Sequence, residues 1–285
     1  MSTTQTLDGR SILAVFAHPD DESISCGGLL AWCSHLGTQV SLLCLTHGEH
    51  GRGSKDVART RANELQSAAQ TLGISSVRLM GHEDGMLPWL SRPSLESDIE
   101  TYITRTNPDV VITFDKDGIY GHPDHIAVYE MTTAAVASLG KNAPALYYVS
   151  IPPGSMRRVV SHAIRTSQQS VDEQNVTVQN SDSQDSIKQS LHTVLGIDDP
   201  DAFGAEAPKP SLIIHIGQFA KAKLAALACH RTQFENSALT YIKEEQAVNL
   251  LGIEHYRRSR TGTIGPTFLD DFGASVEPIT HQPMR

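Results

Sequence analysis

Cysteine is scarce in this 285-residue chain, with four thiols, Cys26, Cys33, Cys44 and Cys229, and no Cys-x-x-Cys pair among them. That scatter excludes a disulfide framework and a thiolate zinc site, so the cysteines read as reduced. Cys26 in particular reads as a small buried residue of an apolar helix. No stretch approaches about twenty uninterrupted apolar residues, and the opening Met1 to Arg10 lacks a basic region followed by an apolar one. The expectation is a cytoplasmic protein without membrane insertion. Positive charge is also short: 23 Lys and Arg stand against 32 Asp and Glu, for a formal net charge of −9. Nucleic acid and anionic membrane both need basic patches to replace counterions, which leaves a small molecule as the expected partner. A Gly-x-Gly-x-x-Gly fingerprint is absent despite Gly27-Gly28, which argues against dinucleotide binding. The absence of a Gly-x-Ser-x-Gly elbow argues against a serine hydrolase of the α/β type.

What is present is an alternation of short apolar runs with helical-period segments. Ile12 to Phe16, Val40 to Leu45, Val77 to Met80, Val110 to Phe114, Ala145 to Val149 and Ser211 to Ile216 read as strands. Helices are expected after the first motif through Leu36, over Val57 to Leu72 with Asp56 as amino-terminal cap and Gly73 as stop, over Ser94 to Arg105, over His125 to Leu139, and over Phe219 to His230. This alternation predicts an α/β fold, a Rossmann-like, mostly parallel sheet with helices on both faces. One domain over residues 1–285 is expected, with a polar, surface-lying excursion at about 160–210 and a short helix near Ile187 to Leu195. With strand order 3-2-1-4-5, the first and fourth strands become neighbours, and their carboxyl ends are where such sheets bind ligands.

Both of those strand ends carry chemistry. His18-Pro19-Asp20-Asp21-Glu22 follows the first strand, and Tyr120-Gly121-His122-Pro123-Asp124-His125 follows the fourth. Imidazoles and carboxylates three apart converge on one ion where a turn begins to wind into helix, and two histidines with one carboxylate make a catalytic zinc site with an open position. Such an ion keeps positive charge, polarises a carbonyl and acidifies water. A neighbouring carboxylate would take the proton, and an imidazole, its pKa raised by Asp124, would stabilise an oxyanion. Spacing alone leaves open which of Asp20 and Asp21, and which of His122 and His125, binds metal. Mixed N/O ligation suits Zn²⁺ and also admits Fe²⁺. His47 and His50 read as solvated loop histidines.

With both motifs in hand, the chain resembles the LmbE-like, or PIG-L, deacetylase family. Thr46-His47-Gly48-Glu49, Arg61-Ala62-Asn63-Glu64, Asp84-Gly85 and the stretch from Lys223 to His230-Arg231-Thr232-Gln233 agree with it. The resemblance implies zinc-dependent hydrolysis of an acetamide on a glucosamine-containing conjugate, in a protein that commonly self-associates. Carried over position by position, it implies His18, Asp21 and His125 as metal ligands and Asp20 as general base. His122 supported by Asp124 would be the proton-donating imidazole, with Tyr120 beside it. Glu49, Arg61, Asp84 and His230 match positions near the sugar. His47 and Lys116 depart from the residues many relatives carry, and both flank the expected substrate mouth. Two other readings share these residues: an amidase acting on a thiol conjugate or other non-acetyl amide, and a metal- or sugar-binding protein without catalysis.

Overall fold

The computed structural model describes residues 6–53, 56–174, 191–235 and 237–275. Five strands, β1 (Ser11–Phe16), β2 (Gln39–Thr46), β3 (Ser76–His82), β4 (Val110–Phe114) and β5 (Ala145–Ser150), pair in parallel. Their order across the sheet is β3-β2-β1-β4-β5, the order expected from the alternation of elements. The central strands are near-continuous apolar runs because both faces are covered: Ile12 to Phe16 and Val110 to Phe114 are fully buried. Ile12 faces Val110 across the β1–β4 pair, so the two motifs leave the sheet side by side.

The sheet then reverses sense. β7 (Ile253–Gly262) runs antiparallel to β5, β6 (Leu212–His215) antiparallel to β7, and β8 (Gly273–Ser275) antiparallel to β6. β7 escapes a search for apolar runs, since it reads Ile-Glu-His-Tyr-Arg-Arg-Ser-Arg. Two of its charges are paired instead: Glu254 with Lys223 at 2.7 Å, and Arg257 through a two-pronged bond to the buried carboxylate of Asp115 at 2.7 and 2.6 Å.

The helices are α1 (Asp21–His35), α2 (Val57–Leu72), α3 (Arg92–Thr106), a single distorted turn α4 (Gly118–Gly121), α5 (Pro123–Ser138), α6 (Ser155–Gln174), α7 (Ala220–Cys229), α8 (Arg231–Phe234) and α9 (Glu244–Leu251). Gly73 ends α2 in the left-handed conformation, φ 71°, as expected. Asp56 does not cap it. Its backbone is itself left-handed, φ 66°, rather than extended as a capping residue requires, and its side chain makes no capping bond.

Helix α1 is broken at Cys26, whose φ of −141° is not helical. The amides beyond the break lack the preceding turn's carbonyls, and Glu254 on β7 fills the gap by accepting from Gly28 N at 2.9 Å and Leu29 N at 3.0 Å. Glycine is required at 28 because a Cβ there would lie 2.5 Å from the Ile216 side chain.

The expected polar excursion is largely ordered where it is described. Helix α6 occupies its start and buries Met156, Val159, Val160 and Ala163, a single stripe at helical spacing under an otherwise polar surface. Residues 175–190, including the start of the short helix expected near Ile187 to Leu195, lie outside the described residues. Beyond them the chain returns to the sheet's carboxyl edge: Val194 and Ile197 form a two-residue bridge, and Gly204 N donates to Ile119 O at 2.7 Å.

Candidate metal centre

His18 and Asp20 follow β1, Asp21 opens α1, and His122, Asp124 and His125 open α5 beyond β4. The turn after β1 is held locally: His18 N donates to Asp21 Oδ2 at 2.8 Å, so the histidine and the carboxylate three residues on are locked to one side. From the neighbouring strand end comes His125, which is fully buried. His18 Nδ1 lies 3.2 Å from His125 Nε2 and 3.4 Å from Asp21 Oδ2, and His125 Nε2 lies 3.2 Å from Asp21 Oδ1.

The outer nitrogens decide what the inner ones can do. His125 Nδ1 donates to Gly118 O at 3.1 Å, and His18 Nε2 donates to Asp84 Oδ1 at 3.0 Å and Asp124 Oδ2 at 3.2 Å. Both imidazoles therefore turn an unprotonated nitrogen toward the same point, beside a carboxylate. Two facing lone pairs repel unless a cation lies between them. A tetrahedral ion with bonds of about 2.0–2.1 Å has ligand–ligand edges of about 3.3–3.4 Å, close to the separations of this donor set. The residues fit a divalent cation. Without one, a proton takes its place on His18: burial opposes that charge, but Asp124, Asp21 and Asp84 outweigh burial and hold the pKa well above its usual value. Burial likewise opposes the charge on Asp21, and His125 and His18 overcome it, keeping its carboxyl well below the usual range.

Beside the donors is a cleft of about 260 Å³ lined by His18, Asp20, Asp21, Arg61, Tyr120 and His122 among others. Asp20 projects into it from a left-handed backbone, φ 115°, and Ile119 and Leu195 in its wall are also left-handed, at 67° and 47°. These are three of the five non-glycine residues in that region of the described backbone, a concentration of strain at one place. Burial pushes the Asp20 carboxyl up to about 6, partly countered by Arg61 at 3.2 Å. Burial and the neighbouring Asp21 and Asp20 charges raise the Tyr120 hydroxyl well above its usual value, so it stays a proton donor.

Two expectations about this cluster need correction. Asp124 does not support His122 through its carboxylate. That group faces His18, with further bonds from Gly85 N at 2.7 Å and Leu87 N at 3.2 Å; only the Asp124 backbone N–H reaches His122, donating to Nδ1 at 3.2 Å. Nor is the His122 pKa raised. Burial, then His125 and His18, lower it to about 4. His122 is a neutral imidazole with its proton on Nε2. For Asp124→Asn we expect a 10–100-fold loss of metal affinity, as for other carboxylates behind a ligating histidine, measured by chelator competition. Unchanged affinity would mean that Asp84 alone orients His18.

The residues matched to sugar positions scatter. Arg61 lines the cleft, but its guanidinium is committed: Nη1 donates to Gly48 O at 2.8 Å, and Nη2 to Pro19 O at 2.6 Å and to Asp20. It stitches the loops after β1 and β2 together, and Glu64 binds Thr232 at 2.9 and 2.8 Å instead of pairing with Arg61. Asp84 turns to His18, which lowers its carboxyl to about 2 against the effect of burial, and to His50 N at 2.9 Å. Glu49 Oε1 accepts from Asp84 N at 3.0 Å, leaving Oε2 buried without a partner. His230 is fully buried and bonds Glu22 at 2.8 Å; it lies outside the cleft wall. Glu22 in turn accepts from Asp20 N at 3.2 Å, so this pair braces the strained Asp20 backbone from behind.

The cleft's apolar side was missed from sequence. Ile24, Ile119, Leu195 and Phe203 form it, and Phe203 packs on Tyr120 with ring centres 5.1 Å apart. The one available signal was that Phe203 is the sole aromatic residue between positions 160 and 210.

Residues 13–136 match the family model for PIG-L, described as GlcNAc-PI de-N-acetylase. A 1D-myo-inositol 2-acetamido-2-deoxy-alpha-D-glucopyranoside deacetylase of Acidothermus cellulolyticus is 33% identical over 171 residues, covering 50% of this chain but only 59% of that relative. One of the same description from Salinispora arenicola is 27% identical, covering 93% of this chain and 90% of its own length. The N,N'-diacetylchitobiose deacetylase of Pyrococcus horikoshii superposes with a TM-score of 0.57 at 20% identity, over 88% of this chain and 84% of that one, which establishes a shared fold.

Proposed function

We propose that this protein is a metal-dependent hydrolase that removes the acetyl group from an N-acetylglucosamine-containing small molecule. The observation that carries the reading is the inward-facing donor set of His18 Nδ1, His125 Nε2 and Asp21, with Asp20 beside it at the mouth of a cleft. We take the cation to be Zn²⁺, with Fe²⁺ as the alternative. The substrate class follows the acetamido sugars that the relatives named above act on. The buried cysteines carry no disulfide among the described residues, which suits a cytoplasmic setting.

A divalent cation at this site supplies Lewis acidity, polarising the amide carbonyl and making water acidic enough to ionise near neutral pH. The chain's own groups do the rest. Asp20 accepts the proton of the attacking water and later delivers it to the departing amine nitrogen, so that amide and water become amine and acetate. His122 Nε2–H and the Tyr120 hydroxyl are hydrogen-bond donors for the oxyanion, and as neutral groups they add no charge that would repel the cation. Arg61 holds the Asp20 turn in place through Pro19 O and the Asp20 carboxylate.

The test is an acetate-release assay over a panel of N-acetylated sugar conjugates. Activity should vanish on prolonged chelation and return on adding Zn²⁺ or Fe²⁺. Turnover that survives complete metal removal would defeat the reading. Release of a larger acyl group, with none of acetate, would favour the amidase alternative in the same site.

A further inference from the structure

Of the polar side chains lining the metal cleft, His18, Asp20, Asp21, Tyr120 and His122 belong to the reaction proposed above. Asp84 has one oxygen on His18 and the other on His50 N. Arg61 has its terminal nitrogens on two backbone carbonyls and Asp20, and its Nε is buried away from the cleft. Two polar side chains remain, the exposed His50 and the buried Gln233.

Gln233 sits in the short helix α8 and is 6% exposed. Its Nε2 donates to Arg52 O at 2.9 Å and to Thr232 Oγ1 at 3.1 Å. A backbone carbonyl only accepts, so the nitrogen has to face Arg52 and the sense of the amide is fixed. Thr232 Oγ1 gives its own hydrogen to Glu64 Oε2 at 2.8 Å, which leaves it an acceptor toward Gln233. Both amide hydrogens are thereby placed. Oε1 has no partner among the described residues and, unlike Glu49 Oε2, is not sealed off. Bracing Arg52 and Thr232 accounts for the nitrogen of Gln233 and leaves the oxygen as a rigid, preformed acceptor on a side chain that lines the cleft.

We propose that Gln233 Oε1 accepts a hydrogen bond from a hydroxyl of the glucosamine ring, which makes Gln233 a specificity-determining residue. The inference rests on the reading of the substrate as an N-acetylglucosaminide. The acetamide has to reach the cation in this cleft, so the ring that bears it lies against the same walls. An acceptor selects a donor, and ring hydroxyls are the donors such a substrate offers. Once the ring has displaced water, an analogue without that hydroxyl leaves Oε1 unpaired, and the cost falls on binding. Arg61 and Asp84, where sugar contacts were expected, have internal partners, and α8 supplies the open acceptor in their place.

The experiment measures binding of methyl glucosaminide, the deacetylated product, and of its 3-, 4- and 6-deoxy analogues to the metal-loaded full chain, where none of them is turned over. One deoxy analogue should bind roughly tenfold more weakly than the complete sugar. Gln233→Met should weaken the complete sugar by a similar factor and abolish its advantage over that one analogue, with the other two ratios unchanged. Thr232→Val should keep every ratio, because the bond to Arg52 O still orients the amide. A Gln233 that only braces the loops would weaken all four sugars alike in Gln233→Met and preserve their ratios, which would overturn the proposal. Equal binding of all four sugars to the parent, or binding of none, would overturn it without any variant. Should Gln233→Met fail to fold, the parent decides with a deoxyfluoro sugar: fluorine does not donate, so it should bind no better than the deoxy analogue at that position, and recovered affinity would place a donor there instead of Oε1. Acetate release is followed separately. Release with unchanged ratios in Gln233→Met defeats this proposal alone, and the expected ratios without release defeat the hydrolase reading alone.

Discussion

Asp20→Asn is expected to lower kcat for acetate release by about 10²–10⁴-fold, the usual contribution of a positioned general base. Asparagine keeps the shape of the side chain and tolerates the left-handed backbone that residue 20 adopts, φ 115°, better than alanine does. Metal content and substrate affinity should therefore persist in the variant, because the proposed donor set of His18, Asp21 and His125 does not include residue 20. Wild-type rates would remove Asp20 from the reaction. Loss of metal together with activity would make it a structural residue instead. The same carboxylate sets an acid limb. Its pKa is raised to about 6 by burial, and only the ionised form accepts a proton. Activity is therefore present above this value and lost as pH falls through it. A bound cation favours the carboxylate and moves the midpoint downward, so kcat/KM should show an acid midpoint at or below about 6. A midpoint well above that would assign the limb to another group.

Lys223→Met should destabilise the fold by about 3–5 kcal/mol, the cost of stranding one partner of a buried ion pair. Lys223 and Glu254 are 4% and 2% exposed, and their charged atoms lie 2.7 Å apart. The effect should exceed that of an ordinary pair because Glu254 also terminates the second half of α1 through Gly28 and Leu29. Glu254 thus ties β7, α7 and the helix that carries Asp21 into one unit. Thermal unfolding would show a drop of roughly 10 °C. A variant that melts within a degree or two of the parent would show that Tyr256 and the two amides suffice to satisfy Glu254 alone. Pairing Lys223→Met with Glu254→Gln separates the two effects: if stranded charge is the cause, the double variant is less damaged than the sum of its singles.

The parallel half of the fold was legible because burial on two faces forces unbroken apolar strands such as Val110 to Phe114, and amphipathic helices betray themselves by period. The antiparallel half was not. β7 spends its positions on Glu254, Arg257 and Arg258, whose partners come from elsewhere in the chain: Arg257 pairs with Asp115, 142 residues away, Arg258 bonds the Tyr147 hydroxyl, 111 residues away, and Glu254 pairs with Lys223 and accepts from Gly28 N, 226 residues away. No local pattern announces such pairs. The start of the polar region past residue 160 differs: Met156, Val159, Val160 and Ala163 keep helical spacing, a local signal masked by the polarity around it, and that single stripe is enough to seat a long helix.

In the candidate site, the division runs between identity and orientation. The amino-acid order by itself determined which groups stand at the ends of β1 and β4, and a three-residue spacing at the mouth of a helix brings His18 and Asp21 together whatever else happens. Only the tertiary structure decided where each polar group points. It turned Asp124 and Asp84 onto His18 rather than onto His122 or a sugar, spent Arg61 on the backbone of two loops, and sent Leu195 and Phe203 to wall the cleft. The physical reason is that a buried polar group binds whichever partner the packing of distant segments brings within about 3 Å, and that distance is not written in any local stretch of sequence.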